Sequence, residues 1–116
     1  MSHRDFDDGE EVNANQLTFP FMPVPAEKVL EGSPAASAIA LGTYAGCEVG
    51  VWEHTAGTST DVEADELFIV LSGRATVTFL DEERTVHLEP GSVMQLFAGQ
   101  RTEWAVIETL RKVYLA

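Results

Sequence analysis

Glu66 stands at the head of an apolar run, Leu67-Phe68-Ile69-Val70-Leu71, behind a second acid, Asp65, and before Ser72-Gly73. A carboxylate beside a strand core has to be solvated, paired or put to use. In a partly apolar pocket, desolvation raises a carboxyl pKa toward the range of a general acid or base. Hydrogen-bonded at the mouth of the fold, the same group is purely structural, and both readings stand. His54 is a second acid/base candidate, set against its ordinary reading as a strand-end surface histidine. Trp52 and Trp104 offer an aromatic wall to a ligand, or else core whose indole N–H needs a partner. Arg101 and Arg111 suit bidentate capture of a carboxylate, but the 19 acidic residues are the commoner partners for them. Cys47 has no neighbouring base to make it a nucleophile and reads as buried filler. Tyr44 and Tyr114 read as packed rings with hydroxyls at a rim, and His3 and His87 as uninvolved. No glycine-rich phosphate loop is present.

These side chains need strands to hold them. The Glu66 run reads as a buried strand, Leu67 to Leu71, closed by a tight turn at Gly73. Further strands are expected over Cys47–Thr55, Ala75–Leu80, Arg84–Leu88, Val93–Phe97, Glu103–Ile107 and Leu110–Leu115. The turns between them fall at Ala56-Gly57, Asp81-Glu82-Glu83, Glu89-Pro90-Gly91 and Ala98-Gly99-Gln100. Short strands at roughly ten-residue spacing point to a sandwich or barrel. Upstream, Ala35–Leu41 fits a short strand or another turn, and Ala26–Leu30 one helical turn ended by Gly32-Ser33-Pro34. Leu17–Pro25 holds three prolines among Phe, Met and Val; it can be neither helix nor central strand. It is expected to lie extended over the outside of a sheet or against a partner subunit. Residues 1–16 are polar and acidic and read as a mobile tail, leaving residues 17–116 as one domain.

Composition narrows the function classes. The 116 residues carry a formal net charge of −12, which repels nucleic acid phosphates and anionic lipid, so neither nucleic acid nor membrane is expected as a partner. One cysteine allows no intrachain disulfide, Met1–Asp8 lacks the apolar core of a signal peptide, and no apolar run reaches membrane-spanning length. The cytoplasm is the expected location.

The ordered set Gly50-Val51-Trp52-Glu53, Gly57, Asp65-Glu66, Val70-Leu71-Ser72-Gly73, Leu88-Glu89-Pro90-Gly91, Gly99, Thr102-Glu103-Trp104 and Arg111-Lys112-Val113-Tyr114 resembles the cupin superfamily. It is most similar to the small branch related to ureidoglycine aminohydrolase cupin domains and the ethanolamine-utilisation cupin, whose entry segment Leu30-Glu31-Gly32-Ser33-Pro34 also resembles. The likeness spans about residues 28–115. It implies an all-β, single-domain, antiparallel jelly-roll barrel with a central cavity and an irregular proline-rich N-terminal segment, often packed as a homodimer. In such a barrel Glu66, Phe68 and Val70 point inward, while Leu67, Ile69 and Leu71 face out and need cover. Thr102, Trp104 and Val106 share a face opposite Glu66.

Metal-binding cupins use a His-x-His pair, a Glu and a later His, a set suited to a divalent transition metal. Carried over, the Glu falls on Glu66. The paired histidines fall on Thr60 and Val62 or on Ser59 and Asp61, and the last on Thr102. One ligand of four is retained, so no metal and no cofactor are expected, although Glu66, Asp61 and a shifted His54 form a conceivable set. Three functions follow. The first is a binding protein that takes a small polar metabolite among Glu66, Thr102, Trp104, Phe68 and Trp52. The second is an enzyme acting on a small ureido, amino or carbohydrate-like metabolite, with Glu66 and His54 as catalytic groups. The third is an interaction module with a vestigial cavity.

Overall fold

Two long strands carry the architecture. A computed structural model describes residues 6–116, and within it β6 (Glu66–Phe79) and β9 (Arg101–Leu115) run antiparallel along almost their whole length. Each belongs to two layers. The first half of β6 and the second half of β9 join β4 (Cys47–His54), β3 (Ala35–Tyr44) and β8 (Val93–Leu96). The other halves join β5 (Gly57–Val62), β2 (Val29–Glu31) and β7 (Arg84–Leu88). The two-residue β1 (Met22–Pro23) pairs with the start of β3. All pairings are antiparallel, and the inner faces of the layers enclose the core. The expected all-β jelly-roll barrel is therefore present, in an open form: β1, β2, β7 and β8 end their ladders rather than closing a ring.

The bend in the ribbon corrects two readings. Gly73 does not end a strand; it lies inside β6, with φ of +91°. A Cβ there would sit 2.1 Å from the Thr109 carbonyl oxygen, so only glycine lets β9 come this close. Register shifts at Val70–Ser72 and Ser72–Ala75 mark bulges that bend the paired strands together. The runs read as separate strands, 67–71 with 75–80 and 103–107 with 110–115, are thus single strands crossing from layer to layer. β5 was not foreseen, because Thr58-Ser59-Thr60-Asp61 lacks an apolar alternation. Ala35–Leu41 is the strand of its two readings, and Ala26–Lys28 is one 3-10 turn.

Alternation places the side chains as expected. Phe68 and Val70 are fully buried inside, with Thr102, Trp104 and Val106 on the facing wall, whereas Leu67, Ile69 and Leu71 are half-buried outside. The N-terminal segment lies against the outer side of the first layer. Phe6–Asp8 and Ala14–Gln16 form 3-10 turns, and the Asp7 carboxylate accepts the Thr43 N–H at 2.7 Å. Residues 1–5, including His3, lie outside the described residues. Among the described residues no helix is long and apolar enough to cross a membrane.

Candidate functional site

A cavity of about 500 Å³ opens between the inner faces of the two layers and the Met22–Pro25 strap. β4 supplies Trp52 and His54, β5 supplies Ser59 and Asp61, and β6 contributes its first residue, Glu66. β9 supplies Trp104 from one layer and Lys112 and Tyr114 from the other. Both halves of β9 point the same parity inward: Thr102, Trp104 and Val106, then Leu110, Lys112 and Tyr114.

Lys112 is the residue the sequence reading passed over. It is only 4% exposed, and its Nζ donates to Glu66 Oε2 at 2.6 Å. The same ammonium lies 4.4 Å from the centroid of the Phe68 ring, 4.7 Å from Trp52 and 4.8 Å from Trp104. A cation in poor contact with water is tolerated when its neighbours replace the lost hydration. Here one carboxylate and three ring faces do so. The rings also pack on each other, with Trp104 5.7 Å from Trp52 and 5.9 Å from Phe68. The signal was available: Lys112 lies two residues from the apolar Leu110 and from Tyr114, on the inward parity of a barrel strand.

His54 is buried rather than at the surface, with 2% exposure, and its ring lies 5.4 Å from Trp52. Nδ1 lies 2.7 Å from the Thr55 carbonyl oxygen and Nε2 2.9 Å from Ser59 Oγ. Burial lowers the imidazole pKa below its usual value, and the bond to Thr55 opposes that shift. His54 and Glu66 line one cavity but bond to different partners. Thr102 is fully buried and donates to Glu63 Oε2 at 2.5 Å, and the same oxygen accepts the Trp104 indole N–H at 2.9 Å. Glu63, also missed in the sequence, therefore anchors the facing wall.

Of the remaining candidates only Tyr114 lines the cavity. Arg111 pairs with Glu53 at 3.1 Å, and Arg101 binds Asp81 at the surface. Cys47 is half-buried and free, and His87 is exposed on β7. Tyr44 is exposed, whereas Tyr114 is buried and its hydroxyl donates to Glu48 Oε2 at 2.7 Å. Burial, and then that hydrogen bond, raises the phenol pKa above its usual value. Gly50 makes room for it, since a Cβ there would meet the Tyr114 hydroxyl at 2.3 Å.

The positions that carry metal ligands in metal cupins do not suit a transition metal here on either placement of the histidine pair. On the first, Thr60 donates to the Lys28 carbonyl oxygen and the Val62 side chain has no donor atom. On the second, Ser59 is bonded to His54, and Asp61 is exposed and 3.6 Å from Lys28 Nζ. On both, Glu66 faces Lys112 and Thr102 faces Glu63. The one retained carboxylate already has a cation against it, supplied by the chain. Among the described residues no group of three or more His, Cys, Asp or Glu side chains is arranged to hold a metal ion.

A family model described as a EutQ-like cupin domain matches residues 43–114. Solved structures agree on the fold. A Pseudomonas syringae protein of unknown function in the DUF861 family superposes with a TM-score of 0.73 at 16% identity, over 86% of this chain and 44% of its own. The EutQ protein of Clostridium difficile gives 0.62 at 19% identity, over 79% of this chain and 77% of its own. A putative ethanolamine utilisation protein Q from Salmonella typhimurium gives 0.60 at 17%, over 87% and 96%. No curated protein matches the chain.

Proposed function

The chain belongs to the EutQ-like cupin domain family, and from that footing we propose that it binds a small polar metabolite in the barrel cavity without a metal. The observation that carries this reading is the Lys112–Glu66 pair, held by three aromatic rings and facing a cavity of ligand size. A buried ion pair is weak evidence for stability, because apolar residues of similar volume do as well or better there. Its position on a cavity wall gives it a use. The ammonium offers hydrogen-bond donors to a ligand oxygen, and Glu66 and Glu63 accept from ligand N–H groups. That pattern fits a ureido, amide or amino-acid metabolite, with Trp52 and Trp104 covering its flat face. A cytoplasmic location belongs to the same proposal, supported by the acidic composition and the single cysteine, Cys47.

Calorimetric titration against ureido, amino-acid and sugar-like metabolites tests the reading. A ligand is expected whose affinity falls at least about tenfold in Glu66→Gln and Lys112→Met, the loss of roughly one charge-assisted hydrogen bond. Unchanged affinity in both variants, each shown to be folded, would remove these residues from the site. An enzymatic reading built on Glu66 and His54 together has less support, since each is bonded to a different neighbour.

The homodimer belongs to the same proposal. The outer face of the first layer carries half-buried Leu67, Ile69 and Leu71, and Val93, cross-strand from Ile69, is 63% exposed. A second copy covering this row would remove it from water. Light scattering should give twice the chain mass at micromolar concentration, and Val93→Glu should give a monomer. A wild-type monomer would end the idea.

A further inference from the structure

β4 and β5 are joined by a short link, Thr55-Ala56, which brings His54 and Ser59 together on one wall of the cavity. The Thr55 carbonyl oxygen can only accept a hydrogen bond, so at 2.7 Å it fixes the proton of the neutral imidazole on Nδ1. The lone pair then lies on Nε2, and the Ser59 hydroxyl donates to it at 2.9 Å. An orienting acceptor, a neutral base and a hydroxyl in series are the groups that activate a serine nucleophile. The pair is shielded, with His54 2% and Ser59 6% exposed. Shielding also keeps the imidazole in its neutral, proton-accepting form. Structural burial alone would explain a satisfied histidine, but it gives no reason for the pair to line a cavity that a fixed cation, Lys112, also lines.

We infer that Ser59 is a nucleophile activated by His54, and that the cavity supports acyl transfer from a small ester, amide or ureido compound. Ser59 Oγ would form a bond to the carbonyl carbon while its proton passes to His54 Nε2. Collapse of the tetrahedral adduct breaks the bond to the leaving nitrogen or oxygen, which departs with that proton. Water then adds by the same route, releasing the acid and restoring the serine hydroxyl. Lys112, the buried one of the two lysines that line the cavity, is the group suited to the charge that develops on the carbonyl oxygen. This inference rests on the cavity of the proposed binding function and overlaps its amide and ureido ligand class, but it depends on Ser59 and His54 rather than on Glu66.

The experiment is covalent labelling of the full chain with diisopropyl fluorophosphate, read by intact mass and peptide mapping. One adduct per chain is expected on Ser59, with none on the exposed Ser33 and Ser72 in the same digest. Ser59→Ala should abolish it, and His54→Gln should slow it by about a hundredfold or more, the scale of general-base assistance. No Ser59 adduct on the folded wild-type protein overturns the inference, and so does labelling of a folded His54→Gln variant at the wild-type rate. If His54→Gln does not fold, the wild-type and Ser59→Ala results decide alone. Metabolite binding that depends on Glu66 with no adduct on Ser59 overturns the nucleophile and leaves the binding site. An adduct on Ser59 with binding indifferent to Glu66 supports the nucleophile and removes the binding reading.

Discussion

Lys112 and Glu66 each make sense only because of the other. The lysine side chain is 5% exposed and the carboxylate 18%, so removing either leaves its partner poorly hydrated. Breaking a buried pair from one side costs about 3–5 kcal/mol, and the partial exposure of Glu66 puts this case near the low end. Lys112→Met and Glu66→Gln should therefore each lose roughly 3 kcal/mol in urea unfolding. The double variant should lose less than their sum by about 1–3 kcal/mol, because no unpaired charge remains. Simple additivity would show that the two groups do not interact. Half of this pair was legible in the sequence: an acid heading an apolar strand is conspicuous, and Glu66 was singled out for it. Its partner was not, because a lysine in an Arg-Lys-Val-Tyr ending looks like an ordinary surface residue until the strand's inward parity is known. His54 was noticed, yet its burial and its bond to Ser59 depend on β5, which polar residues concealed.

At the level of elements, Arg111 ties the N-terminal segment to the barrel. Its guanidinium donates to the Ala14 carbonyl at 2.8 Å and the Leu17 carbonyl at 3.2 Å, pairs with Glu53, and lies 4.8 Å from the centroid of the Phe19 ring. The planar fork makes these contacts at once, which an ammonium cannot do. Arg111→Ala should cost about 2–3 kcal/mol, since charged hydrogen bonds are lost and Glu53, only 11% exposed, is left unpaired. Limited proteolysis with mass spectrometry should show faster cleavage within residues 6–21, and Arg111→Lys should repair this only in part. Cleavage at the wild-type rate in Arg111→Ala would show that the segment is held by other contacts. The strands themselves were largely legible, because alternation and Pro-Gly turns are local signals. The fusion of four expected strands into β6 and β9 was not. It depends on Gly73 accepting the Thr109 carbonyl at close range, a contact between residues 36 positions apart.

For the molecule as a whole, two buried titratable groups set opposite limits on stability. The His54 pKa is lower in the folded chain than its unfolded value of roughly 6.5, so below that pH the unfolded chain binds the proton more readily. Stability contributed by neutral His54 is complete above about pH 6.5 and is lost as pH falls through the folded value. Tyr114 has the opposite sign. Its folded pKa lies above the unfolded value of roughly 10, so the unfolded chain loses the phenolic proton first. Its contribution is complete below about pH 10 and is lost as pH rises beyond it. The net charge of −12 adds self-repulsion on the alkaline side. Unfolding free energy measured in urea from pH 5 to 11 should thus hold a plateau between roughly pH 7 and 10 and decline on both sides. His54→Gln should flatten the acidic slope and Tyr114→Phe the alkaline one, whatever each does to the plateau height. The slopes carry the inference, since a substitution that only weakens packing lowers the curve without changing its shape. An unchanged acidic slope in His54→Gln would mean that the imidazole is as open to protons in the folded chain as in the unfolded one, and the sealed wall shared by His54 and Ser59 would have to be given up.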